Sequence, residues 1–377
     1  MVQLKGLRFF AVLFLFVWVR CKQPQPKDYF YLGVYNFFFV IPFSIRAIRT
    51  ETRDTKSFEL SFDQPISYLP GQFLSVIRKR GDFETRRQYS FSSHPVLSRF
   101  PIITVKRIEN GELSRWLFDE AKVGDTLLSA GVSGRFILPA DINQIKTILF
   151  LAAGSGITPV LSLMQELLNF HRDKQVILVY SNRSAEDTIF INTLQQWQRD
   201  FPQLTVEYFF SNNKNLRRAR LGNLLLMDIY KQYIRDASTS VAYLCGPYDY
   251  MQMLEITLRT EGLAADRVLK EVFLSPEVSD ELLPPDQDQH QVLIRYGNNS
   301  VKLSVKYPTT ILQAARKKNF ELPFSCEAGR CGTCAATCTS GEVWMKVNEV
   351  LSDKEVAQGR VLTCTGYAVG GDVELVI

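Results

Sequence analysis

Residues 326–334 read CEAGRCGTC and place three thiols within nine positions. A fourth thiol, Cys364, follows after 29 further residues, so that the spacing is C-x4-C-x2-C-x29-C. Five of the seven cysteines lie within the last 52 residues of the chain. This concentration predicts that the C-terminal region is built around one thiol-bound centre.

The spacing is typical of a plant-type [2Fe–2S] cluster, in which four thiolates hold two irons. A tight loop must wrap such a cluster and direct backbone N–H groups at its sulfurs, and Gly329 and Gly332 permit that close approach. Cys338 lies outside the pattern and is predicted to be a small core residue. The predicted metal ligands are Cys326, Cys331, Cys334 and Cys364.

A structural zinc site and a disulfide pair are the alternatives for the same cysteines. Zinc sites usually show paired C-x-x-C elements or additional histidines. The chain has only three histidines, at positions 94, 171 and 290. The spacing therefore favours the iron–sulfur cluster.

The length of 377 residues predicts two or three domains, at about 150 residues each. The hydrophobic content of 46% and the charged content of 22% are those of a folded globular protein and argue against a disordered or low-complexity chain. The formal net charge of +5 is too weak to indicate nucleic-acid binding, which needs a concentrated basic face. No nucleic-acid partner is therefore expected.

Residues 1–42 form an apolar extension that contains two hydrophobic runs, 9–19 and 29–41. Each run is shorter than the roughly 18 to 20 residues that a helix needs to cross a bilayer. Arg20 and Cys21 stand where a signal peptide would carry small residues at its cleavage site. Three interpretations stay open: an extension from an upstream start, a weak membrane-surface tether through residues 9–41, and a targeting peptide.

Residues 43–141 show short strand-like runs with turn residues between them, a pattern typical of an antiparallel β-barrel. Residues 142–275 instead alternate apolar strands with helical stretches, which predicts a doubly wound parallel sheet with helices on both faces. The predicted barrel strands are 44–50, 57–62, 72–78, 86–92, 102–108 and 126–129. The predicted strands of the parallel sheet are 147–152, 175–180, 204–210 and 241–244, with helices from residue 158, near 187–199 and over 248–260.

Residues 276–289 are predicted to be an exposed linker, because the stretch from 275 to 289 holds five acidic residues, no basic residue and two adjacent prolines. A third domain then covers residues 290–377. Its length of fewer than ninety residues suits a small mixed fold that is stapled by a metal centre.

A glycine-containing turn, AAGSGITP at 152–159, lies between a predicted strand and a predicted helix. Thr158 is expected to cap the helix, and Pro159 is expected to take its first position. Such a helix end offers free N–H groups and a positive dipole end to a pyrophosphate. An ordinary strand-to-helix turn is the alternative for this segment.

The next predicted strand ends at YSNRS, residues 180–184, where a doubly wound fold binds the adenosine ribose of a dinucleotide. No acidic residue stands immediately there to bind two ribose hydroxyls, whereas Arg183 and Ser184 could hold a 2′-phosphate, with Arg218 or Arg220 as helpers. This pattern favours NADPH, with NADH as the alternative, and an ordinary solvated surface stretch also stays open. Cys245 follows a later strand and would place a thiol beside the same crevice.

The barrel region contains RQYS at 87–90 on a predicted strand, and the alternation of a strand puts Arg87 and Tyr89 on one side. An arginine for a phosphate, an aromatic ring for a flavin and the Ser90 hydroxyl for the nitrogen edge of that flavin would form a coherent set. An ordinary surface strand is the alternative.

Three ordered motifs, R-x-Y-S at 87–90, G-S-G-I-T-P at 154–159 and C-G-P at 245–247, resemble the ferredoxin–NADP reductase superfamily of flavoproteins. With a plant-type ferredoxin region at its C-terminus, the chain is similar to the reductase subunits of multicomponent oxygenases, above all to that of the phenylacetyl-CoA epoxidase system. The similarity covers residues 43–377 in one collinear order. It implies an FAD-binding β-barrel, an NAD(P)-binding α/β domain and a β-grasp ferredoxin domain.

The resemblance also implies roles for individual residues. Arg87 would bind an FAD phosphate, Tyr89 would stack on the isoalloxazine, and Ser90 would hydrogen-bond near its N5. The other FAD-contacting positions are Val105, Lys106 and Ser114. The nicotinamide-nucleotide positions are Gly154, Gly156, Thr158, Pro159 and, after the C-G-P motif, Gly246. The positions implied near the reacting ring are Cys245 and the E-x-F pair Glu271 and Phe273, so that Ser90, Cys245 and Glu271 are the candidate catalytic residues.

The implied activity is transfer of a hydride from NADPH or NADH to FAD, and then of single electrons through the [2Fe–2S] cluster to an acceptor protein, an oxygenase component. Reduced thiols and a nicotinamide pool place this chemistry in the cytoplasm, with weak attachment to the inner face of the membrane as an option. Ser181 and Ala219 stand where close relatives often carry glycine, which affects the choice of cofactor and not the class.

Two other classes of protein share parts of this pattern. A non-enzymatic flavin and iron–sulfur subunit, as in dihydroorotate dehydrogenases, has a different cluster spacing. A sodium-pumping quinone reductase subunit has its ferredoxin domain before the flavin domain, the reverse of the order here. A reductase for a membrane desaturase stays open, because only the acceptor would differ.

Overall fold

The protein is described by a computed structural model that covers residues 40–81, 83–215, 219–273 and 282–377. Most of the apolar extension, Arg218 and the first part of the predicted linker lie outside these residues. The described residues form three β-sheets. None of the helices in these four ranges has the length and apolar character that a bilayer crossing requires.

The first sheet is antiparallel and six-stranded, with the order β4-β3-β6-β1-β2-β5. Its strands are β1 (Ile41–Thr52), β2 (Thr55–Phe62), β3 (Phe73–Arg80), β4 (Phe83–Ser90), β5 (Ile102–Lys106) and β6 (Thr126–Ser133). An antiparallel bridge between Phe91 and Ile103 brings the end of β4 to β5, so that the sheet curls into a barrel around a buried apolar core. Helix α1 (Glu112–Asp119) adds Leu113 and Leu117 to that core. The prediction of an antiparallel barrel is confirmed, with strand ends that differ by a few residues.

The second sheet is parallel, with the order β11-β10-β7-β8-β9. Its strands are β7 (Thr147–Ala153), β8 (Gln175–Asn182), β9 (Leu204–Phe210), β10 (Ser240–Cys245) and β11 (Val268–Glu271). The helices are α2 (Ile157–Phe170), α3 (Ile191–Asp200), α4 (Asn223–Tyr233) and α5 (Tyr248–Thr260). One buried apolar cluster joins the sheet to α2 and α3, and a second joins it to α4 and α5. Helices therefore cover both faces, as the sequence predicts.

The start of α2 differs from the prediction. A short 3-10 turn over Gly154–Gly156 precedes the helix, which begins at Ile157 with Gly156 at its N-cap. Thr158 is already inside the helix, and its Oγ1 donates to the Ser155 carbonyl oxygen at 3.0 Å instead of capping free N–H groups. Thr158 and Pro159 therefore each lie two positions further into the helix than predicted.

The third sheet is mixed, with the order β13-β12-β16-β14-β15 and a parallel β12–β16 pair at its centre. Its strands are β12 (His290–Tyr296), β13 (Asn299–Val305), β14 (Ala335–Met345), β15 (Arg360–Leu362) and β16 (Gly366–Val376). Helix α6 (Ile311–Lys317) packs on this sheet, and the short helix α7 (Asp353–Ala357) precedes β15. This arrangement is the expected β-grasp fold. Cys338, predicted to be a core residue, is only half-buried on β14.

The described part of the predicted linker, residues 282–289, is less free than the sequence suggests. Most of these residues are exposed, but Pro284 is buried. The Asp286 carboxylate lies 2.9 Å from His290 Nε2 and also accepts a hydrogen bond from the Gly370 backbone. This stretch is therefore attached to the third sheet.

The barrel and the parallel-sheet domain meet through hydrogen bonds between α2 and the segment after β4. Ser162 Oγ donates to the Ser93 carbonyl oxygen at 2.6 Å. His94 Nε2 lies 2.5 Å from a Glu166 carboxylate oxygen, and His94 is almost completely buried. These contacts hold the carboxyl ends of the parallel strands against the barrel, where the main cleft lies.

Candidate functional site

A cleft of about 420 Å³ lies where the barrel, the parallel-sheet domain and residues 325–334 meet. We call residues 325–334 the thiol-rich loop. Predicted residues from all three regions line the cleft together: Arg87, Tyr89, Ser90, Lys106, Ser114, Thr158, Glu271, Phe273, Cys326 and Cys331. These positions span 245 residues of sequence, from 87 to 331. The fold thus brings the predicted flavin-contacting residues and two of the predicted cluster ligands to one cavity.

The three candidate catalytic residues come from three different strands; Ser90 and Glu271 line the cleft, and Cys245 does not. Ser90 ends β4, and its Oγ donates to Glu271 Oε1 at 2.8 Å. Glu271 ends β11, where it pairs in register with Cys245 at the end of β10. The parallel pairing explains this proximity, because neighbouring parallel strands end at the same edge of the sheet. Ser90, Glu271 and Cys245 therefore form one group, in which Ser90 and Cys245 are buried and Glu271 is half-buried, with its Oε2 atom buried.

Burial controls the protonation of this group. It raises the pKa of Glu271 to about 8, and the Ser90 hydrogen bond offsets only part of that effect. Burial also raises the pKa of the Cys245 thiol well above its usual value. At neutral pH both groups are therefore protonated. Glu271 Oε2 is buried and has no hydrogen-bond partner among the described residues, so one oxygen is available to a bound group.

Other residues around the cleft provide positive charges, an aromatic ring and the start of a helix. Positive charges and a helix start suit the phosphates of FAD, and an aromatic ring suits its flavin ring. Arg87 is exposed beside Tyr89, and the burial of Tyr89 raises the pKa of its phenol. Lys106 lines the cleft and lies 3.3 Å from Asp54. Ser114 lies in the first turn of α1.

The side chain of Val105 is only 1% exposed and belongs to the apolar core of the barrel, so it does not reach the cleft. Its neighbours Thr104 and Lys106 line the cleft instead. Neighbouring side chains of a strand point to opposite faces, so the predicted contact of Val105 with FAD would come from its backbone and stays a prediction.

The glycines of the nucleotide loop permit close backbone contacts. A Cβ atom on Gly156 would lie 2.0 Å from the Cys245 carbonyl oxygen, so only glycine fits there. Gly154 has a φ of +53°, and a Cβ atom on Gly246 would lie 3.0 Å from Ala153. Gly154, Gly156, Pro159 and Gly246 thus shape the edge of the parallel sheet beside the cleft rather than line it.

The predicted ribose site holds carboxylates that the sequence interpretation did not consider. Ser184 Oγ donates to Asp187 Oδ2 at 3.1 Å and accepts from the Asp187 backbone N–H. The Asp187 carboxylate also lies 2.9 Å from Arg53 Nε, which comes from the turn after β1. The Arg183 side chain is exposed at the same strand end. Asp187 is therefore charge-paired, whereas Arg183 and Arg220 face solvent.

The four predicted ligand cysteines lie in two pairs, which fits two irons. Cys334 Sγ and Cys364 Sγ are 3.2 Å apart, and the Cys326 and Cys331 thiols are within hydrogen-bond reach of each other. The Ala328 backbone N–H points at Cys326 Sγ at 3.4 Å. No three His, Cys, Asp or Glu side chains within the described ranges surround a single-ion site. The donor set and its grouping suit a [2Fe–2S] cluster.

Glycine also shapes the thiol-rich loop. Gly329 has a φ of +72°, and a Cβ atom there would lie 2.6 Å from the Val347 carbonyl oxygen. Gly332 has the same φ, and a Cβ atom there would lie 3.0 Å from Arg135 Cδ, a side chain of the barrel domain. Both positions therefore favour glycine, and the predicted close approach of this loop to a cluster stays a prediction.

The thiol-rich loop is docked on the barrel by polar contacts that the sequence did not indicate. Ser325 Oγ lies 2.6 Å from Ser75 Oγ and 2.8 Å from Gln88 Nε2. Thr333 and Ser133 hydroxyls are 2.8 Å apart. Arg135 forms an ion pair with Glu355, and Arg330 donates to the Phe273 carbonyl oxygen. The sequence motifs do not specify these contacts, so the contacts could not be predicted from the sequence.

Three family models match the chain in the order of its three sheets. An oxidoreductase FAD-binding domain matches residues 42–137, an oxidoreductase NAD-binding domain matches 150–255, and a 2Fe-2S iron-sulfur cluster binding domain matches 296–369. Together with the cleft, they define the class: a flavin- and nicotinamide-dependent oxidoreductase that carries its own [2Fe–2S] domain.

Characterised proteins of full length match nearly all of the chain. The ferredoxin reductase component of 3-ketosteroid-9-alpha-monooxygenase from Mycolicibacterium smegmatis is 31% identical over 355 residues, 89% of this chain and 96% of that protein. One subunit of the 1,2-phenylacetyl-CoA epoxidase from Escherichia coli is 27% identical over 340 residues, 88% of this chain and 95% of that protein. The chain belongs to this family of oxygenase reductase components.

Solved structures show the same fold. Phthalate dioxygenase reductase superposes with a TM-score of 0.57 at 23% identity and covers 90% of this chain and 98% of that chain. An intact type IV self-sufficient cytochrome P450 monooxygenase superposes with a TM-score of 0.69 at 22% identity over 89% of this chain. This chain spans only 41% of that longer protein.

Proposed function

We propose that this protein transfers electrons from a nicotinamide nucleotide, through FAD and a [2Fe–2S] cluster, to the oxygenase component of a multicomponent monooxygenase. One observation carries this proposal. The cleft that Arg87, Tyr89 and Ser90 line is also lined by Cys326 and Cys331. The flavin and the cluster would therefore be neighbours with no intervening domain, as serial electron transfer requires.

The bound FAD would supply the conversion of a two-electron hydride into single electrons, and the cluster would carry these one at a time. The chain itself would orient the nucleotide, exclude water and hold a proton. Glu271 is the proposed proton holder, because its carboxyl is protonated at neutral pH and contacts Ser90 Oγ. Ser90 would pass that proton toward the flavin nitrogen edge. Cys245, neutral and buried behind them, would limit the position of the nicotinamide.

We propose NADPH as the preferred nucleotide and NADH as the alternative. Arg183 supplies the positive charge that a 2′-phosphate needs, and Arg53 neutralises the nearby Asp187. The NADH alternative rests on the same Asp187, whose carboxylate could accept two ribose hydroxyls. The ratio of kcat/KM for the two nucleotides, in wild type and in Arg183→Ala, distinguishes them.

The acceptor is the finer part of the proposal. Two relatives are named as components of a 3-ketosteroid monooxygenase and a phenylacetyl-CoA epoxidase. A phenylacetyl-CoA epoxidase-like oxygenase is the proposed acceptor, and a membrane desaturase is the alternative. Reconstitution with a candidate oxygenase should couple nucleotide oxidation to product formation. Uncoupled oxidation with every candidate oxygenase would argue against this acceptor class.

The first test is spectroscopic. The purified protein should show flavin and iron–sulfur absorbance together, and a colourless preparation after anaerobic reconstitution would refute the proposal. Cys331→Ser should abolish NAD(P)H-dependent reduction of cytochrome c, a one-electron acceptor, and spare reduction of the flavin. Loss of both activities would mean that the flavin and cluster do not work in series. If wild type oxidises no nucleotide, it is a non-enzymatic electron-transfer subunit instead.

The proposed compartment is the cytoplasm, because free thiolates persist in a reducing environment. Weak association with the inner face of a membrane through residues 9–41 is the accompanying proposal. Fractionation of cells that express the full chain, beside a chain that begins at Val40, should show membrane-bound protein only for the former. Equal distribution of both would leave the extension without a membrane role.

A further inference from the structure

Arg330 occupies the thiol-rich loop directly before Cys331. Its side chain lines the cleft together with Phe273, Cys326 and Cys331. The guanidinium group therefore lies at the junction between the proposed flavin site and the proposed cluster ligands.

Among the residues that the structure describes, Arg330 has no carboxylate partner for its charge. Its NH1 group donates to the Phe273 carbonyl oxygen at 2.8 Å. Within the described ranges no carboxylate lies within ion-pair distance of it, and the acid of its own loop, Glu327, pairs with Arg316 instead. Arg330 Nε is buried and has no hydrogen-bond partner among the described residues. Arg330 as a whole is half-buried, but a buried donor without a partner is costly, so its Nε points to an acceptor that the described residues do not supply. An anion would satisfy both this donor and the positive charge.

Nearby groups do not provide that negative charge. Glu271 is the only acid among the described residues that line the cleft, and burial keeps it protonated at neutral pH. A [2Fe–2S] cluster would provide it, because four thiolates and two sulfides outweigh the charge of two ferric ions. Each electron that the cluster accepts adds one further negative charge, and such charges together with hydrogen bonds set its potential.

We propose that Arg330 is a positioning residue that stabilises the reduced cluster and thereby favours electron transfer out of the flavin. This inference rests on the proposed function. The step concerned moves one electron from the reduced flavin to the cluster; the flavin is oxidised by one electron, the cluster is reduced by one, and no bond breaks. The Phe273 contact holds the guanidinium between the two sites, at the end of the reductase module.

The test uses the full-length protein loaded with FAD and iron–sulfur cluster, with the loading measured by absorbance. Spectroelectrochemical titration should show a lower midpoint potential for the cluster in Arg330→Gln, which keeps a donor but loses the charge. The equilibrium constant for electron transfer from flavin to cluster should fall about tenfold, the effect of losing one hydrogen bond to a charged group. Arg330→Lys should recover most of the potential. Lys302→Gln, the same change of charge at an exposed position on β13, should leave it unchanged.

Turnover provides a second readout. Arg330→Gln should slow reduction of cytochrome c and leave reduction of ferricyanide, which can accept electrons from the flavin, at the wild-type rate. An unchanged cluster potential in Arg330→Gln, or an equal loss in Arg330→Lys, would overturn the inference. If Arg330→Gln loses its cluster, Arg330→Met is titrated in its place: a lower cluster potential supports the inference, and an unchanged potential overturns it. A wild-type cluster that NAD(P)H does not reduce would instead refute the proposed function.

Discussion

At the scale of single residues, the position of Glu271 at the end of a strand changes the protonation of its carboxyl group. An exposed glutamate would be ionised at neutral pH, but pairing with β10 buries this carboxyl beside Cys245. The Ser90 hydroxyl is its only described hydrogen-bond partner. The chain thus keeps a proton at this position, and the sequence motif alone gives no measure of that protonation.

The raised pKa of Glu271 predicts a dependence of stability on pH. Between its usual value of 4.5 and about 8, the folded protein keeps a proton that the unfolded chain releases, so stability should fall as the pH rises through this range. Urea unfolding of Glu271→Gln from pH 5 to pH 8 should show a flatter profile than wild type, by an amount on the order of a few kcal/mol at the upper end. Glu321→Gln, at an exposed position, should behave like wild type. Parallel profiles for wild type and Glu271→Gln would contradict the buried, protonated carboxyl.

The ion pair between Arg53, in the barrel domain, and Asp187 predicts that Arg53 influences the choice between NADPH and NADH. Removal of Arg53 should free the negative charge of Asp187 and lower the ratio of kcat/KM for NADPH over NADH, by roughly two- to fivefold for one partly exposed ion pair. Arg183→Ala should lower the same ratio by about tenfold, because it removes the proposed phosphate partner. Arg49→Ala is the matched control, since Arg49 pairs with Glu51 on its own strand. A ratio that changes equally in all three variants would argue against a specific ribose site.

At the scale of elements, the sequence predicted most of the strands but not the details of how they end. All six barrel strands and the strand at 204–210 lie where alternation placed them. The predicted cap Thr158 and first residue Pro159 lie inside α2, because the helix follows directly on a 3-10 turn at Gly154–Gly156 and begins at Ile157. The alternation of β5 directs the Val105 side chain into the barrel core, between Thr104 and Lys106, which line the cleft. Local hydrophobic pattern therefore determines the elements, and their ends depend on the neighbours they meet.

The loop before α2 predicts a sensitive position. Gly156→Ala would place a Cβ atom 2.0 Å from the Cys245 carbonyl oxygen, which is backbone and cannot rotate away. We expect a loss of about 1–3 kcal/mol of unfolding free energy, typical of overpacking, and a slower hydride transfer because Cys245 must shift. Thermal unfolding and stopped-flow reduction of the flavin measure the two effects. Ser155→Ala is the control: the neighbouring residue Ser155 already has a Cβ atom, so this substitution should change stability little. Wild-type stability in Gly156→Ala would show that the two backbones are not in tight contact.

At the scale of the whole molecule, the thiol-rich loop lies against the barrel through a polar interface. Its contacts join Ser325 to Ser75 and Gln88, and Thr333 to Ser133. Helix α7 adds an ion pair between Glu355 and Arg135. The sequence predicts an exposed linker before the third domain and identifies no contact between that domain and the barrel. The structure shows a defined docking arrangement, in which Cys326 and Cys331 line the same cleft as Arg87, Tyr89 and Ser90.

This docking predicts the behaviour of a cross-linked protein. The Ser75 and Ser325 hydroxyl oxygens are 2.6 Å apart, close enough to test a disulfide in Ser75→Cys/Ser325→Cys. The oxidised double variant should still reduce its cluster with NAD(P)H, because the docked arrangement already places the cluster ligands beside the flavin cleft. Stopped-flow absorbance measures the reduction, with each single variant as a control. Reduction of the flavin without reduction of the cluster in the cross-linked protein would show that another arrangement transfers the electrons.

The sequence by itself determined the class of this protein. Cluster spacing, glycine turns and hydrophobic periodicity are local properties, and each specifies its own loop, strand or helix whatever the rest of the chain does. Only the tertiary structure decided which of these residues meet: Ser90 with Glu271, Asp187 with Arg53, and Arg330 with Phe273. These pairs are separated by 57 to 181 residues, and their contacts arise from the packing of three sheets against one another. Burial then raises the pKa of Glu271 and leaves the Arg330 Nε without a partner among the described residues. A local sequence pattern does not contain this information, because burial depends on residues that are distant in sequence.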